Sequence, residues 1–321
     1  MTTRRTLLAA PLALALPAVA QAQGGFPTRP VRLVVPWAPG GATSNIARIV
    51  GDAMTPHLGQ PVVLDHRPGA GGAIGSENVA KSPADGYSIL IAGAGTFYRP
   101  IIERDVPFDP GRDFGFVGPV GDGPFALVAR NGLPGTLAEF IAQARARPGQ
   151  LNVASSGQGS TSHLTAEAFN VAAGIQATHI PYRGAAPAMA DLVGGRVDYY
   201  FDAFSTVLEN VRAGRIQALG VTTPVRAAQA PEIPTLMEAG LPGFAIAPWW
   251  GLVGPAGMPE GAVARLSAAL ERALAQPAVV EALAAQGCRA FFLAPRAFAD
   301  YVRTEDAKWT RVIEGAGLRI R

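Results

Sequence analysis

The sequence predicts an α/β fold of two lobes, each a sheet flanked by helices. Short β-branched or apolar runs alternate with helical patterns, beginning with "VRLVV" and a helix from Ile46 to Leu58. A second series of the same kind begins at "FALVAR". The chain must pass between the two series twice, near Gly123 and near Pro248, and two crossings predict a hinge.

The first series contains three strand-like runs, "VRLVVPW", "PVVLDH" and "YSILIAG". Helical patterns follow the first two runs, over Ile46 to Leu58 and Ala73 to Lys81, and a loop is expected after the third. Alternation of this kind is typical of largely parallel sheets. No internal repeat or low-complexity tract interrupts it.

The second series opens with a helix that begins at Thr136, where Glu139 completes a capping box. "LNVASSGQGSTSHLTAEAFN" then gives a strand, a loop of small residues and a helix. A helix over 186–193, a strand over 197–201, a helical region over 261–286 with a break at Pro277, and a helix over 295–314 complete the pattern. We assign residues 23–123 and 249–321 to lobe 1 and residues 124–248 to lobe 2.

The first 22 residues predict a signal peptide. Arg4 and Arg5 precede an apolar stretch from Leu7 to Val19, and Ala20 and Ala22 form a cleavage site. The stretch is shorter than the ~20 residues of a membrane span. No cysteine stands at the cleavage point, so we expect a periplasmic product without a lipid anchor. Twin-arginine export is an alternative to ordinary secretion, and "TRRTLL" matches its pattern only loosely.

Charge, cysteine and histidine content argue against several classes of protein. The formal net charge is +3 and falls to +1 without the leader, which indicates no nucleic-acid partner. A single cysteine, Cys288, allows no internal disulfide. The four histidines lack the spacing of metal ligands, so neither a metal nor a cofactor is expected.

Two loops of small residues are the candidate ligand sites. In "PWAPGGATSN", Gly40 and Gly41 let a ligand approach the backbone, and Thr43 and Ser44 offer hydroxyls while capping the next helix. "SSGQGSTS", Ser155 to Ser162, has the same chemistry in the other lobe. Two uncharged, donor-rich loops facing each other suit a carboxylate. For the first loop alone, a capped turn that binds nothing is an equally good interpretation.

A dinucleotide site and a paired acid/base site receive weaker support. The glycines of "DHRPGAGGAIGS" miss the G-x-G-x-x-G spacing by one position, and an exported protein meets little NAD. Asp198 and Asp202 would share one face of a strand, so a carboxylate pair can be drawn. Separate roles are favoured, with Asp202 at the end of the strand.

A hydrolase or isomerase that uses Ser156 or Ser160 with His163 or Asp202 is the alternative from another functional class. No G-x-S-x-G elbow surrounds either serine, and His163 is expected to pack or to cap its helix. Trp37, which immediately precedes the Gly-Gly turn, is expected at a ligand pocket. Core packing is favoured for the other aromatic residues near the loops, which are Phe97, Tyr98, Tyr182, Phe204, Trp249 and Trp250.

Over essentially its whole mature length, the chain resembles the Bug-type (TctC-like) periplasmic receptors of tripartite tricarboxylate transporters. The resemblance rests on the order of stretches such as "RLVVPWAPGGATSNIAR", "RPGAGGAIGSENVAKSPADGYSILIA", "ASSGQGSTSHLTAEAF", "HIPYRGAAPAMADLVGGRVDYYFD" and "WWGLVGPAGMP". It implies a periplasmic-binding-protein-like fold of type II without catalytic activity. It further implies a receptor that closes on a small organic carboxylate and delivers it to membrane permease subunits, and a monomer is expected because such a receptor must hinge. A sensor in place of the permease is an alternative.

The resemblance also implies a set of ligand-binding residues. The first loop supplies the first group, the segment after the third strand supplies Thr96, and the second lobe supplies the rest. The set is Trp37, Ala38, Gly41, Thr43, Ser44, Thr96, Ser156, Gly157, Gly159, Ser160, Thr161, Tyr182, Gly184 and Asp202.

Two departures from the family pattern bear on the ligand. Ser44 stands where the family usually has an aspartate, which makes an amino-acid ligand a weaker prediction. The segment "GAGTFYRP" is shorter than usual, so a bulkier rim of Thr96, Phe97 and Tyr98 is expected, and with it a tilt toward an aromatic or flat carboxylate. Arg99 is expected to be exposed and solvated rather than paired with a distal ligand carboxylate.

Overall fold

A computed structural model describes residues 25–103 and 105–315, so the predicted signal peptide lies outside the described residues. The strands are β1 Val31–Val35, β2 Val62–His66, β3 Ser88–Gly93, β4 Phe114–Asp122, β5 Phe125–Arg130, β6 Leu151–Ser155, β7 Ala177–Pro181, β8 Tyr199–Ala203, β9 Ile216–Val221, β10 Trp249–Pro255 and β11 Arg289–Ala290. The helices are α1 Ala42–Leu58, α2 Ala73–Ala80, α3 Ala94–Ile102, α4 Leu137–Ala146, α5 Thr161–Ala172, α6 Ala185–Val193, α7 Phe204–Arg212, α8 Glu260–Leu274, α9 Pro277–Ala285 and α10 Pro295–Gly315, with one 3₁₀ turn at Ala70–Gly72.

Two sheets define two lobes, which confirms the predicted fold class. The first sheet has the order β11-β4-β10-β3-β1-β2, and the second has the order β7-β6-β8-β5-β9. Both sheets are mixed rather than wholly parallel, because β10 runs antiparallel to β3 and β4, and β5 runs antiparallel to β8 and β9. Each of these two strands is the first that the chain forms after it changes sheets.

The two segments in which the chain changes sheets lie side by side. One joins β4 to β5 and the other joins β9 to β10. The N–H of Gly123 donates to the carbonyl oxygen of Pro248 at 3.0 Å, which links the two segments directly. Two short, adjacent connections of this kind are the geometry on which hinge motion depends.

Strand β8 is buried along its whole length. Tyr199 and Phe201 pack into one hydrophobic cluster, whereas Tyr200 packs into the cluster on the opposite face of the sheet. Successive side chains of a strand point to opposite faces, so a continuous apolar run is the pattern of a strand covered on both sides. This burial carries Asp202, near the end of the strand, into the interior.

The prediction of a loop after β3 is wrong, because this segment forms α3. Phe97 stacks on Phe116, and the hydroxyl of Tyr98 accepts from the indole N–H of Trp249 at 2.9 Å. Core packing therefore outweighs the glycine and proline of this segment, which disfavour a helix. Arg99, expected to be exposed, is 3% exposed and forms an ion pair with Glu103.

The capping box before α4 is confirmed. The hydroxyl oxygen of Thr136 accepts from the N–H of Glu139, and the hydroxyl donates to the Glu139 carboxylate at 2.8 Å. Among the residues that the structure describes, no helix combines the length and the apolar character that crossing a membrane requires.

Candidate ligand-binding site

A small cavity of about 50 Å³ lies between the lobes. The carboxyl ends of β1, β3, β6 and β8 meet there, which is where open α/β sheets place their ligands. The first sheet and the crossing segment contribute Trp37, Ala38, Gly41, Ala42, Thr43, Ser44, Gly93, Pro248, Trp249 and Trp250. The second lobe contributes Phe125, Ser156, Thr161, Ser162, Ala185, Asp202 and Ala203. This lining contains no lysine, arginine or histidine, and Asp202 is its one acidic residue.

The cavity brings together only part of the predicted residue set. The predicted residues in its lining are Trp37, Ala38, Gly41, Thr43, Ser44, Ser156, Thr161 and Asp202. The others, which are Thr96, Gly157, Gly159, Ser160, Tyr182 and Gly184, are not part of the lining. Thr96 and Ser160 are buried, the Tyr182 hydroxyl donates to Asp191 at 2.7 Å, and Gly184 packs against Ala38.

The first loop leaves the N-terminus of α1 without a side-chain cap. The N-cap residue is Gly41, whose backbone is extended. The prediction that Thr43 and Ser44 cap this helix is wrong, because both lie within its first turn. N–H groups of a first turn lack helical acceptors and stand at the positive end of the helix dipole. The N–H of Ser44 donates to the Gly41 carbonyl oxygen at 3.0 Å, whereas those of Ala42 and Thr43 have no hydrogen-bond partner among the described residues and are free to bind an anion.

The hydroxyl of Thr43 is oriented by a distant residue. The indole N–H of Trp250 donates to Thr43 Oγ1 at 2.9 Å. Because the oxygen accepts in this bond, its own proton stays available to a ligand. The indole nitrogen of Trp37 is also buried and finds no hydrogen-bond partner among the described residues. The first loop thus presents donors of both kinds, backbone and side chain.

His66 holds the Ser44 hydroxyl in an arrangement that is less favourable for donating to a ligand than that of Thr43. The imidazole Nδ1 lies 3.0 Å from the carbonyl oxygen of Trp37, and Nε2 lies 3.4 Å from Ser44 Oγ. A carbonyl can only accept, so Nδ1 carries the proton, and Nε2 of a neutral ring accepts from Ser44. The Ser44 proton therefore points toward the histidine, over a long contact.

The second loop is the segment from Ser155 to Ser162, and the N–H groups of its glycines donate hydrogen bonds within the second lobe. The N–H of Gly157 donates to Ser155 Oγ at 3.1 Å, and that of Gly159 donates to His163 Nδ1 at 3.1 Å. Both glycines are predicted ligand-binding residues. In this structure their N–H groups fix the shape of the loop.

Three serines complete the second loop. Ser162 Oγ accepts from the N–H of Ser156 at 2.9 Å and lies 2.9 Å from Ser156 Oγ and 3.1 Å from Ser160 Oγ. Ser160 caps α5 by accepting from the N–H of His163 at 3.3 Å. The hydroxyls of this loop are therefore largely satisfied by one another and by backbone donors.

Two stacked imidazoles, those of His163 and His179, contact the second loop. The rings of His163 and His179 lie 3.8 Å apart with an interplanar angle of 17°. His179 Nε2 lies 2.6 Å from Ser155 Oγ. Burial lowers the pKa of His163 to about 3 and the pKa of His179 to about 4. Both rings are neutral at neutral pH, so His163 Nδ1 can accept from Gly159.

The second loop also contacts the first lobe directly. The N–H of Gly95, on α3, donates to Thr161 Oγ1 at 2.9 Å. A Cβ atom on Gly95 would lie 2.7 Å from the Thr161 nitrogen, so only glycine permits this approach. Arg99 fills the adjacent space, where it donates to the Ala70 carbonyl at 2.6 Å and lies against Gly159.

Asp202 is the one titratable acid of the cavity. It is 6% exposed, and Oδ1 accepts from the N–H of Ala203 at 2.8 Å. Oδ2 is buried and has no hydrogen-bond partner among the described residues. Burial raises the pKa of Asp202 to about 7, although the Ala203 N–H favours the charged form, as does the nearby Tyr200 hydroxyl, which makes no hydrogen bond of normal geometry with Asp202. A carboxyl in this state can either donate or accept a hydrogen bond near neutral pH.

The geometry does not assemble the catalytic alternatives. His163 Nδ1 accepts from a backbone N–H rather than from a serine hydroxyl, and Nε2 lies 3.8 Å from Glu167. Asp198 binds Arg130 Nε at 2.8 Å and the N–H of Asn152 at 2.7 Å, so its carboxylate is engaged away from Asp202. No activated nucleophile with an oriented base lies among the described residues of the cavity.

Sequence reasoning did not assign Ser162 and Trp250 to the site. Ser162 belongs to the quoted loop "SSGQGSTS", and its position inside the next helix concealed its contact with Ser156. Trp250 was expected to pack in the core. Its place directly after the second crossing segment is the signal that could have placed it at the cavity.

Two mixed sheets joined by two adjacent crossings, with a small cavity between their loops, define the class of two-lobed solute-binding receptors. The family model described as "Tripartite tricarboxylate transporter family receptor" matches residues 46–318. The chain belongs to this family, and the resemblance to Bug-type receptors is confirmed. The family is one of periplasmic solute receptors rather than of enzymes.

Individual relatives match over nearly their whole length. BugT from Bordetella pertussis is 35% identical over 302 residues, which cover 92% of this chain and 92% of BugT. An R. palustris protein solved with adipate superposes with a TM-score of 0.87 and 35% identity, covering 91% of this chain and 98% of that chain. MatC from Rhodopseudomonas palustris with bound malate superposes with a TM-score of 0.84 and 34% identity, covering 90% of this chain and 100% of that chain.

Proposed function

We propose that this protein is an extracytoplasmic receptor that binds a small organic carboxylate between its lobes and delivers it to the permease of a tripartite tricarboxylate transporter. The uncapped N-terminus of α1, facing a cavity without a basic side chain, carries this proposal. Such an end binds an anion through N–H groups and the helix dipole alone. The relatives solved with adipate and malate support the same ligand class.

The ligand carboxylate binds the N–H groups that follow Gly41 and the hydroxyl of Thr43, with Trp37, Ala38 and Ser44 around it. Ser156, Thr161 and Asp202 face the rest of the ligand from the second lobe. The remaining predicted residues have a supporting role, because they shape the second loop or the contact between the lobes. These are Thr96, Gly157, Gly159, Ser160, Tyr182 and Gly184.

Closure follows from a ligand that touches both lobes. We assign residues 23–123 and 249–321 to one lobe and 124–248 to the other, with the hinge at the hydrogen-bonded pair Gly123 and Pro248. A ligand shifts the equilibrium between open and closed forms only by its different affinity for the two. Contacts from α1 and from the second loop together supply that difference.

A compact aliphatic acid is the preferred ligand. Phe97 and Tyr98, on which the expectation of a flat aromatic ligand rested, are buried in α3 and do not reach the cavity. Ser44 supplies no carboxylate at the position where the family usually has one for an ammonium group. The ligand class is therefore a small mono- or dicarboxylate.

The receptor acts as an exported monomer. Residues 1–22 direct it to the periplasm as a cleavable signal peptide without a lipid anchor. A monomer is the simplest state for a receptor that must open and close while it meets a permease.

A thermal-shift screen of the protein recovered from the periplasm tests the proposal. The panel contains di- and tricarboxylates, aromatic carboxylates and amino acids, applied after bound metabolites are removed by unfolding and refolding. A ligand at 100 times its Kd adds about 2.7 kcal/mol to the free energy of unfolding, a shift of several degrees. Stabilisation by an acid supports the receptor. Turnover of that acid would indicate an enzyme, and a refolded protein that no acid stabilises would contradict the proposal.

A further inference from the structure

The cavity proposed to bind an anion contains an acidic side chain and no basic one. Asp202 is 6% exposed, and its Oδ2 is buried without a hydrogen-bond partner among the described residues. Because Asp202 and the N-terminus of α1 line the same cavity of about 50 Å³, a ligand carboxylate bound there shares this small space with the Asp202 oxygen. Two carboxylates that share a site shielded from water cannot both remain ionised.

We propose that Asp202 and the bound ligand carboxylate share one proton, so that the receptor takes up a proton from solvent when it binds its ligand. This inference rests on the proposed function. The shared proton turns Asp202 into a hydrogen-bond donor toward the ligand, which replaces the cation that the lining lacks. The proton belongs to the pair rather than to either acid, because strongly coupled groups titrate together.

The charged groups on the elements packed against Asp202 do not stabilise its ionised form. Strand β8 packs against β5, β6, α5, α6 and α7. Arg130 on β5 is paired with Asp198, and Asp191 on α6 is paired with Arg196. Strand β6 carries no titratable side chain. The other titratable groups on these elements are Tyr199 and Tyr200 on β8, His163 and Glu167 on α5, and Glu209 and Arg212 on α7.

None of these charged groups shifts the pKa of Asp202. That pKa is raised by burial and opposed only by the Ala203 N–H and the Tyr200 hydroxyl. A ligand carboxylate beside Asp202 raises the pKa further, because a like charge disfavours the ionised form. The pH range in which the complex holds a proton that the free receptor has released therefore begins near pH 7 and extends upward.

The rival arrangement keeps Asp202 ionised and has it accept a hydrogen bond from a ligand hydroxyl or ammonium group. In that arrangement the ligand supplies the donor and binding takes up no proton. The two arrangements differ in the effect of Asp202→Asn. The amide of asparagine can donate to a carboxylate as a protonated acid does. While its oxygen keeps the bond from the Ala203 N–H, the nitrogen that replaces Oδ2 cannot accept from a ligand donor.

Isothermal titration calorimetry with adipate and with malate counts the protons directly. The titrations are run at pH 7.5 in buffers of different ionisation enthalpy, so that the slope of the observed heat gives the number of protons exchanged. We expect an uptake of between about half and three-quarters of a proton per ligand, because about a quarter of the free receptor already holds this proton at pH 7.5. The affinity should fall up to about tenfold per pH unit above pH 7.

Two variants complete the test. Asp202→Asn is expected to take up no proton and to bind with a Kd that is constant from pH 6.5 to 8.5. Asp198→Asn is the matched control, since Asp198 lies just before β8 and pairs with Arg130 outside the cavity. It is expected to retain the wild-type proton uptake. If it fails to fold, the proton count of the wild-type protein still decides the question.

Binding of either acid without proton uptake at pH 7.5 would overturn the inference and leave the receptor function intact. A tenfold or greater loss of affinity in Asp202→Asn would then support the rival arrangement. No binding heat from either acid, together with a silent thermal-shift panel, would contradict the proposed function and this inference with it.

Discussion

Both loops that face the cavity follow a strand, contain glycine and small hydroxyl residues, and precede a helix. The first ends at Gly41, which offers α1 no side-chain cap, so the N–H groups of Ala42 and Thr43 remain unused. The second ends at Ser160, which caps α5, and its serines and glycines bond to one another and to two histidines. A similar composition thus gives a loop with free hydrogen-bond donors in one lobe. In the other lobe it gives a loop whose donors already form hydrogen bonds within the protein.

The comparison shows that hydroxyl-rich composition alone does not define a ligand site. What matters is whether the hydroxyl oxygens accept hydrogen bonds from the N–H groups around them, because those N–H groups are then unavailable to a ligand. Ser162 accepts from the Ser156 N–H, whereas Thr43 receives its bond from Trp250 and keeps its own proton for a ligand. We therefore expect the first loop to provide most of the affinity and the second to provide shape and closure.

The largest expected effect is loss of stability in acid, which should arise from the second loop. The folded protein holds the pKa of His163 near 3 and that of His179 near 4, below the ordinary value of 6.5. Between pH 6.5 and about 4 the unfolded chain binds protons that the folded protein does not, so the free energy of unfolding falls as the pH falls. The combined loss by pH 4 is on the order of a few kcal/mol.

Thermal melts from pH 7 to pH 4 measure this loss. His179→Gln removes one titrating ring and should flatten the dependence of Tm on pH. His57→Gln is the control, because His57 contacts Gln276 away from the loop. Equal slopes in the two variants would show that the stacked histidines do not control the acid sensitivity.

A smaller effect is expected from Gly95→Ala, which acts on closure. The new Cβ would lie 2.7 Å from the nitrogen of Thr161 and 3.1 Å from the carbonyl oxygen of Gly159. A clash of this size costs about 1–3 kcal/mol, so we expect affinity to fall about fivefold or more. The free energy of unfolding should hold or rise slightly, because alanine replaces glycine in a helix.

Calorimetric titration and thermal melts separate these two effects of Gly95→Ala. Gly261→Ala is the matched control, because Gly261 is likewise the second residue of its helix and a Cβ there meets nothing within 4 Å. Unchanged affinity in Gly95→Ala would show that binding does not require the lobes to approach as closely as they do here.

The smallest effect is expected from Ser44→Ala. The Ser44 hydroxyl lies 3.4 Å from His66 and does not cap α1, so it supports the ligand weakly. We expect less than about a threefold loss of affinity, which corresponds to less than about 0.7 kcal/mol. A tenfold loss by titration would instead indicate a direct hydrogen bond from Ser44 to the ligand.

The fold could be predicted because its determinants are local. Alternating apolar and helical runs identify the two lobes, and Thr136 with Glu139 marks the start of α4 from four residues of sequence. Helix α3 could not be predicted in the same way. Its stability depends on Phe97 and Tyr98 packing against Phe116 and Trp249, which are distant in sequence.

The candidate site could be located from sequence but not resolved in detail. The positions of both loops followed from strand and helix patterns, whereas the start of α1 at Ala42 rather than Ile46 decides whether Thr43 caps the helix. The partners of the second loop are equally remote, since His179 lies 24 residues from the Ser155 that it contacts. Composition does not encode such pairings.

The most direct test of the difference between the loops compares Thr43→Val with Ser162→Ala. Each change removes one hydroxyl and leaves one partly buried N–H without its acceptor. This is the indole N–H of Trp250 in the first case and the backbone N–H of Ser156 in the second. Each should therefore lower the free energy of unfolding by a similar amount, about 1–3 kcal/mol.

The decisive measurement is the affinity of the two variants for the same carboxylate, by isothermal titration calorimetry. Thr43→Val is expected to lose tenfold or more, because a ligand donor is lost with the hydroxyl, whereas Ser162→Ala is expected to lose less than about threefold. An equal loss of affinity, or a larger loss in Ser162→Ala, would contradict the conclusion that the first loop binds the ligand while the polar groups of the second loop are hydrogen-bonded within the protein.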